Sequence, residues 1–359
     1  MYQDLGIAAL SAPQAAVVFG VLLGLAFGVL AERTGFCLRR SVVAGPDRRP
    51  AAGVWLAALA AAVAGTQAAV AQGWIGFSDH RFMAGELPVL AVALGGLMFG
   101  VGMVLTRGCI SRLTVLSGTG NLRALLVVLV FALAALATIR GVLAPARLWL
   151  GETTVSLGAA ASLAALPGGA LVWAAGIGAG ALAVALRSGA PAGRLALAAA
   201  LGLLVPLGWV GTGLVLYDDF DPVAFQSLAF TSSSAETLFW LGAATSIPLS
   251  FGAGLVGGTL AGALVSALSA RRFRWQSFES PAQTGRYLAG AALMGFGGTL
   301  AGGCTVGAGL SGTATLSVAA FLALGAMVAG ARVADRALVS RASSGSAGPR
   351  GTRSPQPAE

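Results

Sequence analysis

Long apolar stretches constrain the fold of this chain more than any other feature of its sequence. Hydrophobic residues make up 57% of the 359 residues and charged residues only 10%, which leaves too few polar side chains to cover a soluble globule. A hydrocarbon core about 30 Å thick is crossed by a helix of roughly 20 apolar residues. The chain contains nine such stretches and therefore predicts an all-α polytopic membrane protein with about nine transmembrane helices. The predicted spans are residues 13–32, 51–72, 88–106, 122–140, 168–187, 194–216, 237–268, 286–303 and 312–333.

The seventh stretch, residues 237–268, is too long for one straight helix across the membrane. It contains Pro248, and proline removes a backbone donor and kinks or ends a helix. Four glycines follow between positions 252 and 258. We expect a broken or re-entrant segment here, with its freed backbone groups buried against neighbouring helices.

The distribution of arginine predicts which end of the molecule faces the cytoplasm. All 22 basic residues are arginines; with the amino terminus placed outside, 19 fall on the inner side, and only Arg81, Arg140 and Arg147 fall on the outer side. Because positively charged loops stay in the cytoplasm, we expect a multi-pass protein of the bacterial inner membrane with a periplasmic amino terminus and a cytoplasmic carboxyl terminus. The net charge of +9 then reflects topology and attraction to the anionic lipid bilayer, and nucleic acid is not an expected partner.

Sequence repeats relate the regions around the cysteines. Aligning Cys37 with Cys109 superimposes the pattern Gly-Leu-x-Phe-Gly-Val at 24–29 on the same pattern at 96–101. Aligning Cys109 with Cys304 matches the glycines of two spans that are predicted to run in opposite directions. The chain is therefore predicted to contain an inverted repeat, and such repeats place the substrate near their shared axis in the bilayer.

These repeats predict a single transmembrane transport domain over residues 1–335. Its two halves are expected at about 13–140 and 194–333, joined by the span at 168–187. The segment 340–359 is rich in Ser, Gly, Pro and Arg and is predicted to be a disordered cytoplasmic tail.

Each of the three cysteines follows the glycine-rich end of an apolar stretch. A single cysteine in such a chain is most often a small buried hydrophobe, but here every thiol has the same context. A glycine before the cysteine lets the backbone turn or approach a ligand closely, and a neighbouring arginine adds positive potential. We predict that the thiols line a substrate path. The candidate path residues are Cys37, Cys109, Cys304, Gly108, Gly303, Arg107 and Arg112.

Other chemical groups give weaker signals. No disulfide is expected, because Cys37 and Cys109 are predicted to lie toward the reducing cytoplasm and Cys304 toward the opposite face. His80 is the only histidine and lacks partners for a metal, so a surface role is expected. The acidic segment 217–236 is expected to fold over the edge of the protein or to shape a vestibule. Because the sequence contains no Cys-x-x-Cys pair, Walker loop or dinucleotide fingerprint, we expect neither an enzyme nor a bound cofactor.

Short sequence blocks around Cys109 and Cys304 resemble the YeeE/YedE sulfur-transport family. The resemblance covers about residues 15–335. The blocks are Arg-Gly-Cys-Ile-Ser-Arg at 107–112, Gly-Asn-Leu-Arg at 120–123, Asp-Phe-Asp-Pro at 219–222, Gly-Gly-Cys-Thr-Val-Gly at 302–307 and Leu-Ser-Gly at 310–312.

This resemblance implies a thiosulfate uptake protein whose path-lining cysteines correspond to Cys37, Cys109 and Cys304. It also implies that a small cytoplasmic sulfur-carrier protein works beside the transporter. Relatives in the wider family are thought to move other sulfur or selenium species, so these stay open as substrates.

The chemistry of a thiol fits such a path. Thiosulfate is a dianion with a soft terminal sulfur, and a neutral thiol offers it a weak donor and a polarizable contact without charge repulsion. Several weak sites serve better than one strong site, because a conducted ion must also leave. We therefore expect sequential hydrogen-bonding stations. A membrane thiol redox carrier or enzyme, and a purely structural subunit, remain as alternatives.

Overall fold

Helices form nearly all of the regular structure of this protein. The computed structural model describes residues 10–344 apart from positions 219 and 279, and for 341–344 it describes the backbone alone. A short antiparallel pair joins β1 (Glu86–Leu87) to β2 (Val155–Ser156). The helices are α1 (Ala12–Thr34), α2 (Leu38–Val42), α3 (Arg48–Ala71), α4 (Val89–Leu105), α5 (Ile110–Gly118), α6 (Leu122–Arg140), α7 (Ala144–Gly151), α8 (Gly169–Leu186), α9 (Ala192–Val210), α10 (Thr231–Ala243), α11 (Phe251–Ser269), α12 (Pro281–Leu300) and α13 (Val318–Ser344).

The structure confirms an all-α polytopic membrane protein. Within the described residues, eight helical segments are long and apolar enough to cross a membrane. They coincide with eight of the nine predicted spans. The remaining span, 286–303, corresponds to α12, which has 20 residues and is long enough to cross a membrane. Its first turns contain the polar residues Gln283, Thr284 and Arg286, which make it less apolar than the other eight segments.

The seventh predicted span is broken, as its proline indicated. Helix α10 ends at Ala243 and α11 begins at Phe251, so Pro248 lies in the irregular segment between them. With 13 residues, α10 is too short to cross the membrane alone. The chain therefore enters this region as a half-length helix that packs against α6 and α11.

Glycine allows the most extensive helix contact in the described part of the chain, between α1 and α11. Every fourth residue from Gly20 to Gly28 of α1 and from Gly254 to Gly262 of α11 is glycine. A Cβ atom on any of these glycines would overlap a backbone carbonyl of the partner helix. Small residues at this spacing let two helix backbones touch inside a membrane, where van der Waals packing replaces the hydrophobic effect.

Arginine distinguishes the two ends of the helix bundle. At the arginine-rich end, Arg39 Nη1 donates to the carbonyl of Arg107 at 3.5 Å, and Arg272 Nη1 lies 3.3 Å from a carboxylate oxygen of Glu32. The amide of Ala44 donates to Asp335 of α13 at the same end. The opposite end, which we call the arginine-poor end, contains the three remaining arginines.

The predicted domain layout stays a prediction in most respects. Helix α8 occupies the joining span expected at 168–187, but the inverted relation of the two halves is untested. Helix α13 continues to Ser344, so it extends into the tail predicted to be disordered from residue 340. The rest of that tail, 345–359, lies outside the described residues.

Candidate functional site

The three cysteines occupy equivalent positions at three helix breaks. A residue with left-handed backbone conformation lies two positions before each cysteine, and these are Gly35 (φ 65°), Arg107 (φ 60°) and Gly302 (φ 75°). The left-handed residue ends the preceding helix, and the chain then turns inward. Cys37 is the N-cap of α2 and Cys109 the N-cap of α5. All three thiols are buried and free.

Cys37 and Cys109 lie together in the core. Each thiol is the main polar neighbour of the other, and the backbone N–H groups of Arg40 and Cys109 point towards the Cys37 sulfur. Cys109 Sγ is also 3.3 Å from the hydroxyl of Ser111. The two thiols and the N-termini of α2 and α5 therefore form one polar spot inside the bundle.

The partly buried guanidinium of Arg112 adds positive charge to this spot. It interacts electrostatically with both Cys37 and Cys109, and its Nη1 donates to the carbonyl of Ala31 at 3.4 Å. Arg107 differs, because its side chain is exposed at the arginine-rich end. Of the two flanking arginines predicted from sequence, only Arg112 reaches the thiols.

Cys304 begins an unusual segment. The amide of Gly307 donates to Cys304 Sγ at 3.3 Å, and the carbonyl of Cys304 accepts from Ala308 and Gly309. A short π-helix, Gly307–Gly312, follows. π-helical turns are rare and occur frequently at functional sites.

The helix breaks at Cys304 and Cys109 adjoin each other. The buried hydroxyl of Thr305, directly after Cys304, lies beside the Cys109 thiol and has no hydrogen-bond partner of good geometry. The expectation that Cys304 lies toward the opposite membrane face from Cys109 stays a prediction, and Thr305 brings the two helix breaks together. The helix breaks bend both cysteines into the middle of the bundle.

The two predicted glycines have different structural roles. A Cβ at Gly303 would lie 2.7 Å from the backbone nitrogen of Ala308, so only glycine fits there. A Cβ at Gly108 would meet only the end of the Leu113 side chain, at 3.3 Å. The turn before Cys109 is made by Arg107, not by Gly108 as predicted.

Two adjoining cavities open at the arginine-poor end, and the three arginines there converge on them. The smaller, of about 300 Å³, is lined by Arg81, Arg140 and Arg147 and extends to Gly302 and Gly303, directly before Cys304. The larger, of about 670 Å³, shares Arg81 and extends to the π-helix. Residues far apart in sequence thus form a positively charged vestibule next to Cys304.

The vestibule also contains acidic and hydroxyl groups. Glu236 lines both cavities, accepts a hydrogen bond from Ser250 at 3.0 Å and interacts with Arg81 and Arg140. Thr231, the first residue of α10, lines the smaller cavity with a buried hydroxyl that has no partner. Segment 217–236 supplies much of the wall of the larger cavity, which fits the expectation that it shapes a vestibule; Asp219 lies outside the described residues.

His80 is half-buried, although a surface role was expected. Its ring packs against Phe77, Phe82, Trp209 and Phe225, with ring centres 5.0 to 6.1 Å apart. Its Nδ1 accepts from the amide of Phe82 at 3.2 Å. Burial, and to a lesser extent the charge of Arg81, lower the pKa of His80 to about 4. The ring is therefore neutral at physiological pH and forms part of the vestibule wall.

Sequence reasoning missed the vestibule but contained its signal. Arg81, Arg140 and Arg147 were identified as the three arginines on the side that the positive-inside rule disfavours. An arginine on that side needs a reason other than topology.

No three His, Cys, Asp or Glu side chains in the described part of the chain are placed to hold a metal ion.

Comparisons with known proteins point to sulfur transport. The sequence model of a family described as Sulphur transport matches residues 33–333. The protein named Thiosulfate transporter TsuA from Escherichia coli (strain K12) is 32% identical over 136 residues, which cover 37% of this chain and 36% of that protein's length. A protein of the same name from Spirochaeta thermophila is 27% identical over 260 residues, which cover 64% of this chain and 72% of that protein's length.

Proposed function

We propose that this chain, which belongs to the Sulphur transport family, takes up thiosulfate across the bacterial inner membrane along a path lined by Cys304, Cys109 and Cys37. The observation that carries this proposal is the continuity between the vestibule and the helix breaks. The positively charged cavity extends to Gly302 and Gly303, and Thr305 connects Cys304 to the Cys109 and Cys37 pair. Its relatives named as thiosulfate transporters suggest the substrate.

The vestibule would select and concentrate the anion. Three arginines around one cavity raise the local concentration of a dianion, and Glu236 keeps their combined charge from holding it too tightly. Arg140 and Arg147 are themselves held in place, because Arg140 lies over the ring of Phe239 and Arg147 Nε donates to the carbonyl of Thr138. Their positions are therefore largely set before the anion arrives.

Inside the bundle, the anion would meet neutral groups in succession. Thiols, the hydroxyl of Thr305 and the backbone N–H groups at the starts of α2 and α5 can each donate a hydrogen bond to an oxyanion or contact its soft sulfur. No acidic side chain lies among these groups in the described residues apart from Glu32, which is paired with Ser266 and Arg272. Weak sites in series allow the ion to leave each one.

We infer that transport requires movement, because large buried rings lie next to Cys37. The rings of Phe230 and Phe27 lie 5.0 Å apart, and Phe27 contacts Phe36 next to Cys37. All three rings are fully or almost fully buried. We expect the passing ion to displace these rings, and the glycine-lined contact of α1 with α11 would have to permit this. Thiosulfate would then leave at the arginine-rich end, where a small cytoplasmic sulfur-carrier protein could receive it.

One observation favours a second function. Because the Cys37 and Cys109 thiols are neighbours, they could exchange electrons as a dithiol, in which case the chain would be a membrane thiol redox carrier. Such a role needs a thiolate and a covalent intermediate. Nearby N-termini and Arg112 would favour a thiolate, but a thiolate would repel a dianion.

Uptake of radiolabelled thiosulfate by cells that lack their own sulfate and thiosulfate transporters tests the proposal. Cys109→Ala should lower uptake at least about 100-fold, since it removes the donor shared by both neighbouring stations. Cys37→Ala and Cys304→Ala should impair it to a lesser or similar degree. Cys→Ser variants, which keep a donor, should retain more uptake than Cys→Ala variants at one or more positions.

The same cells separate the alternatives. Sulfate, selenite and sulfite added in excess report the substrate range by competition. Mass spectrometry of protein that has turned over thiosulfate should find no sulfur adduct on Cys37, Cys109 or Cys304. An adduct that forms and clears at the rate of uptake would support the redox carrier, and normal uptake by Cys109→Ala at equal protein abundance would refute the path.

A further inference from the structure

Helix α8 leaves a deep apolar groove on the side of the bundle. Of its 18 residues, only Ala174, Ala181 and Ala185 are buried. It packs on α3 and makes few contacts with α9, which is next in the chain. The space between α8 and α9, with α3 as its floor, has a volume of about 930 Å³.

The lining of this groove is almost entirely aliphatic. It consists of alanine, leucine, valine and one glycine, and Gln67 is its only polar residue. The Nε2 donor of Gln67 is already used, because it donates to the carbonyl of Ala314 at 2.8 Å. The apolar lining along the rest of the groove suits a hydrocarbon.

The groove follows α3 through much of the membrane. It extends from Ala57 to Ala71, which at 1.5 Å per residue is about 21 Å. The hydrocarbon core of a bilayer is about 30 Å thick, so the groove is longer than half of this core. It can therefore accommodate the acyl chains of a lipid from one leaflet.

Positive charge surrounds the end of the groove where α8 stops and α9 starts. Arg187 directly follows the lining residue Leu186, and Arg194 lies in the first turn of α9. Arg49 lies one turn before Gly53, whose position on α3 touches Ser188 in the loop between α8 and α9. All three arginine side chains are exposed, and none forms an ion pair within the described residues. An anionic head group would be attracted here.

We propose that the groove between α3, α8 and α9 binds an anionic phospholipid, with its acyl chains in the groove and its phosphate against Arg49, Arg187 and Arg194. The bound lipid replaces the missing contact between α8 and α9. It also touches Gln67, which holds the carbonyl of Ala314 just after the π-helix that follows Cys304. Bound lipid thus supports the helix that positions part of the cysteine region.

Two glycines of α8 allow a matched test of the acyl-chain site. Gly178 lines the groove, and a Cβ there would have open space, with Ala60 O the nearest atom at 4.0 Å. Gly176 lies on the same helix, outside the groove, and also has open space. Gly178→Leu should fill the groove without disturbing the fold, and Gly176→Leu makes the same chemical change on a surface outside it.

Native mass spectrometry of the purified full chain, with phosphatidylglycerol or phosphatidylcholine added at equal concentration, measures the bound lipid. We expect the unmodified chain and Gly176→Leu to retain one phosphatidylglycerol. The fraction of protein with bound lipid should be about ten-fold lower for Gly178→Leu. Arg187→Gln with Arg194→Gln should abolish the preference for phosphatidylglycerol, whereas Arg336→Gln, an exposed arginine on α13, should preserve it.

Three results would overturn the proposal. These are equal retention by Gly178→Leu and Gly176→Leu, equal retention of the two lipids by the unmodified chain, and a dimer that replaces the lipid and disappears with Gly178→Leu. The substituted arginines are exposed, so their variants should keep the helix packing. They therefore test the head-group contact even if the glycine variants fail to fold.

Discussion

At the scale of single residues, the left-handed residue two positions before each cysteine is the regularity that the sequence concealed. Sequence reasoning located the thiols and their glycine-rich surroundings, because composition and repeats show them directly. It assigned the turn before Cys109 to Gly108, since glycine is the usual left-handed residue. Nothing in a sequence shows that an arginine adopts this conformation, because tertiary packing imposes it.

The strained backbone of Arg107 gives a prediction that separates conformation from charge. A left-handed conformation costs a non-glycine residue about 1–2 kcal/mol, so Arg107→Gly should be more stable than Arg107→Gln by about 1 kcal/mol. Both variants lose the charge and should show the same change in thiosulfate uptake. Thermal melts followed by tryptophan fluorescence in detergent, run alongside uptake measurements, test this. A lower melting temperature for Arg107→Gly than for Arg107→Gln would contradict it.

The buried imidazole of His80 predicts a specific acid sensitivity. Its pKa is lowered from 6.5 to about 4 by burial, so between these values the unfolded chain binds a proton that the folded chain does not. The free energy of unfolding should therefore fall as the pH drops from about 6.5 towards 4. Above pH 6.5, His80 should add no pH dependence to it. His80→Asn keeps an acceptor for the amide of Phe82 and removes the titration.

Melting temperatures of the unmodified chain and His80→Asn from pH 4 to 8 measure this effect. Because His80 is the only histidine, the difference between the two curves isolates it from the carboxylates. The difference between the two curves should be constant above about pH 6.5 and should change between pH 6.5 and 4, where the unmodified chain loses stability relative to His80→Asn. Parallel curves over the whole range would mean that His80 titrates normally.

At the scale of helices, the apolar spans and the break at Pro248 followed from length, hydropathy and proline chemistry. The two π-helices, Gly211–Val215 and Gly307–Gly312, could not be predicted. A π-turn costs local hydrogen-bond geometry and persists only where tertiary contacts support it. One such contact is Ser311, whose hydroxyl donates to the carbonyl of Leu228 in the vestibule wall.

Two adjacent glycines of α11 test the packing of α1 against α11. A Cβ at Gly258 would overlap the carbonyl of Val21, whereas a Cβ at Gly257 has open space. Gly258→Leu should therefore destabilise the protein by at least about 1–3 kcal/mol through overpacking and lower its melting temperature and uptake. Gly257→Leu should leave both unchanged. Equal effects of the two substitutions would show that this contact is not the tight one.

At the scale of the whole molecule, the sequence predicted the class of fold well but did not show that the helix breaks at Cys109 and Cys304 adjoin each other. Topology assigns a residue to one end of a span, and a helix that breaks halfway moves that residue into the middle. The convergence of Arg81, Arg140 and Arg147 on one cavity has the same origin, because it joins the loop after α3 to the end of α6 and to α7. Long-range contacts of this kind have no local signature in a single sequence.

The vestibule strengthens the argument for the orientation of the chain in the membrane. Arg81, Arg140 and Arg147 line one cavity, which gives the arginines at this end a role other than topology. The asymmetry of 19 arginines to three in the sequence is therefore the basis for the orientation. We predict that the arginine-poor end faces the periplasm and that Arg336 lies in the cytoplasm.

A fluorescent protein that matures only in the cytoplasm tests this orientation. Fused after Arg336 it should fluoresce, and inserted at Asp79, in the loop after α3, it should remain dark. An alkaline phosphatase that folds only in the periplasm should give the opposite pattern at the same two sites, which controls for expression. The reverse result with both reporters would place the vestibule in the cytoplasm. The three arginines would then face the exit of the proposed path, and the chain would be arranged to export the anion.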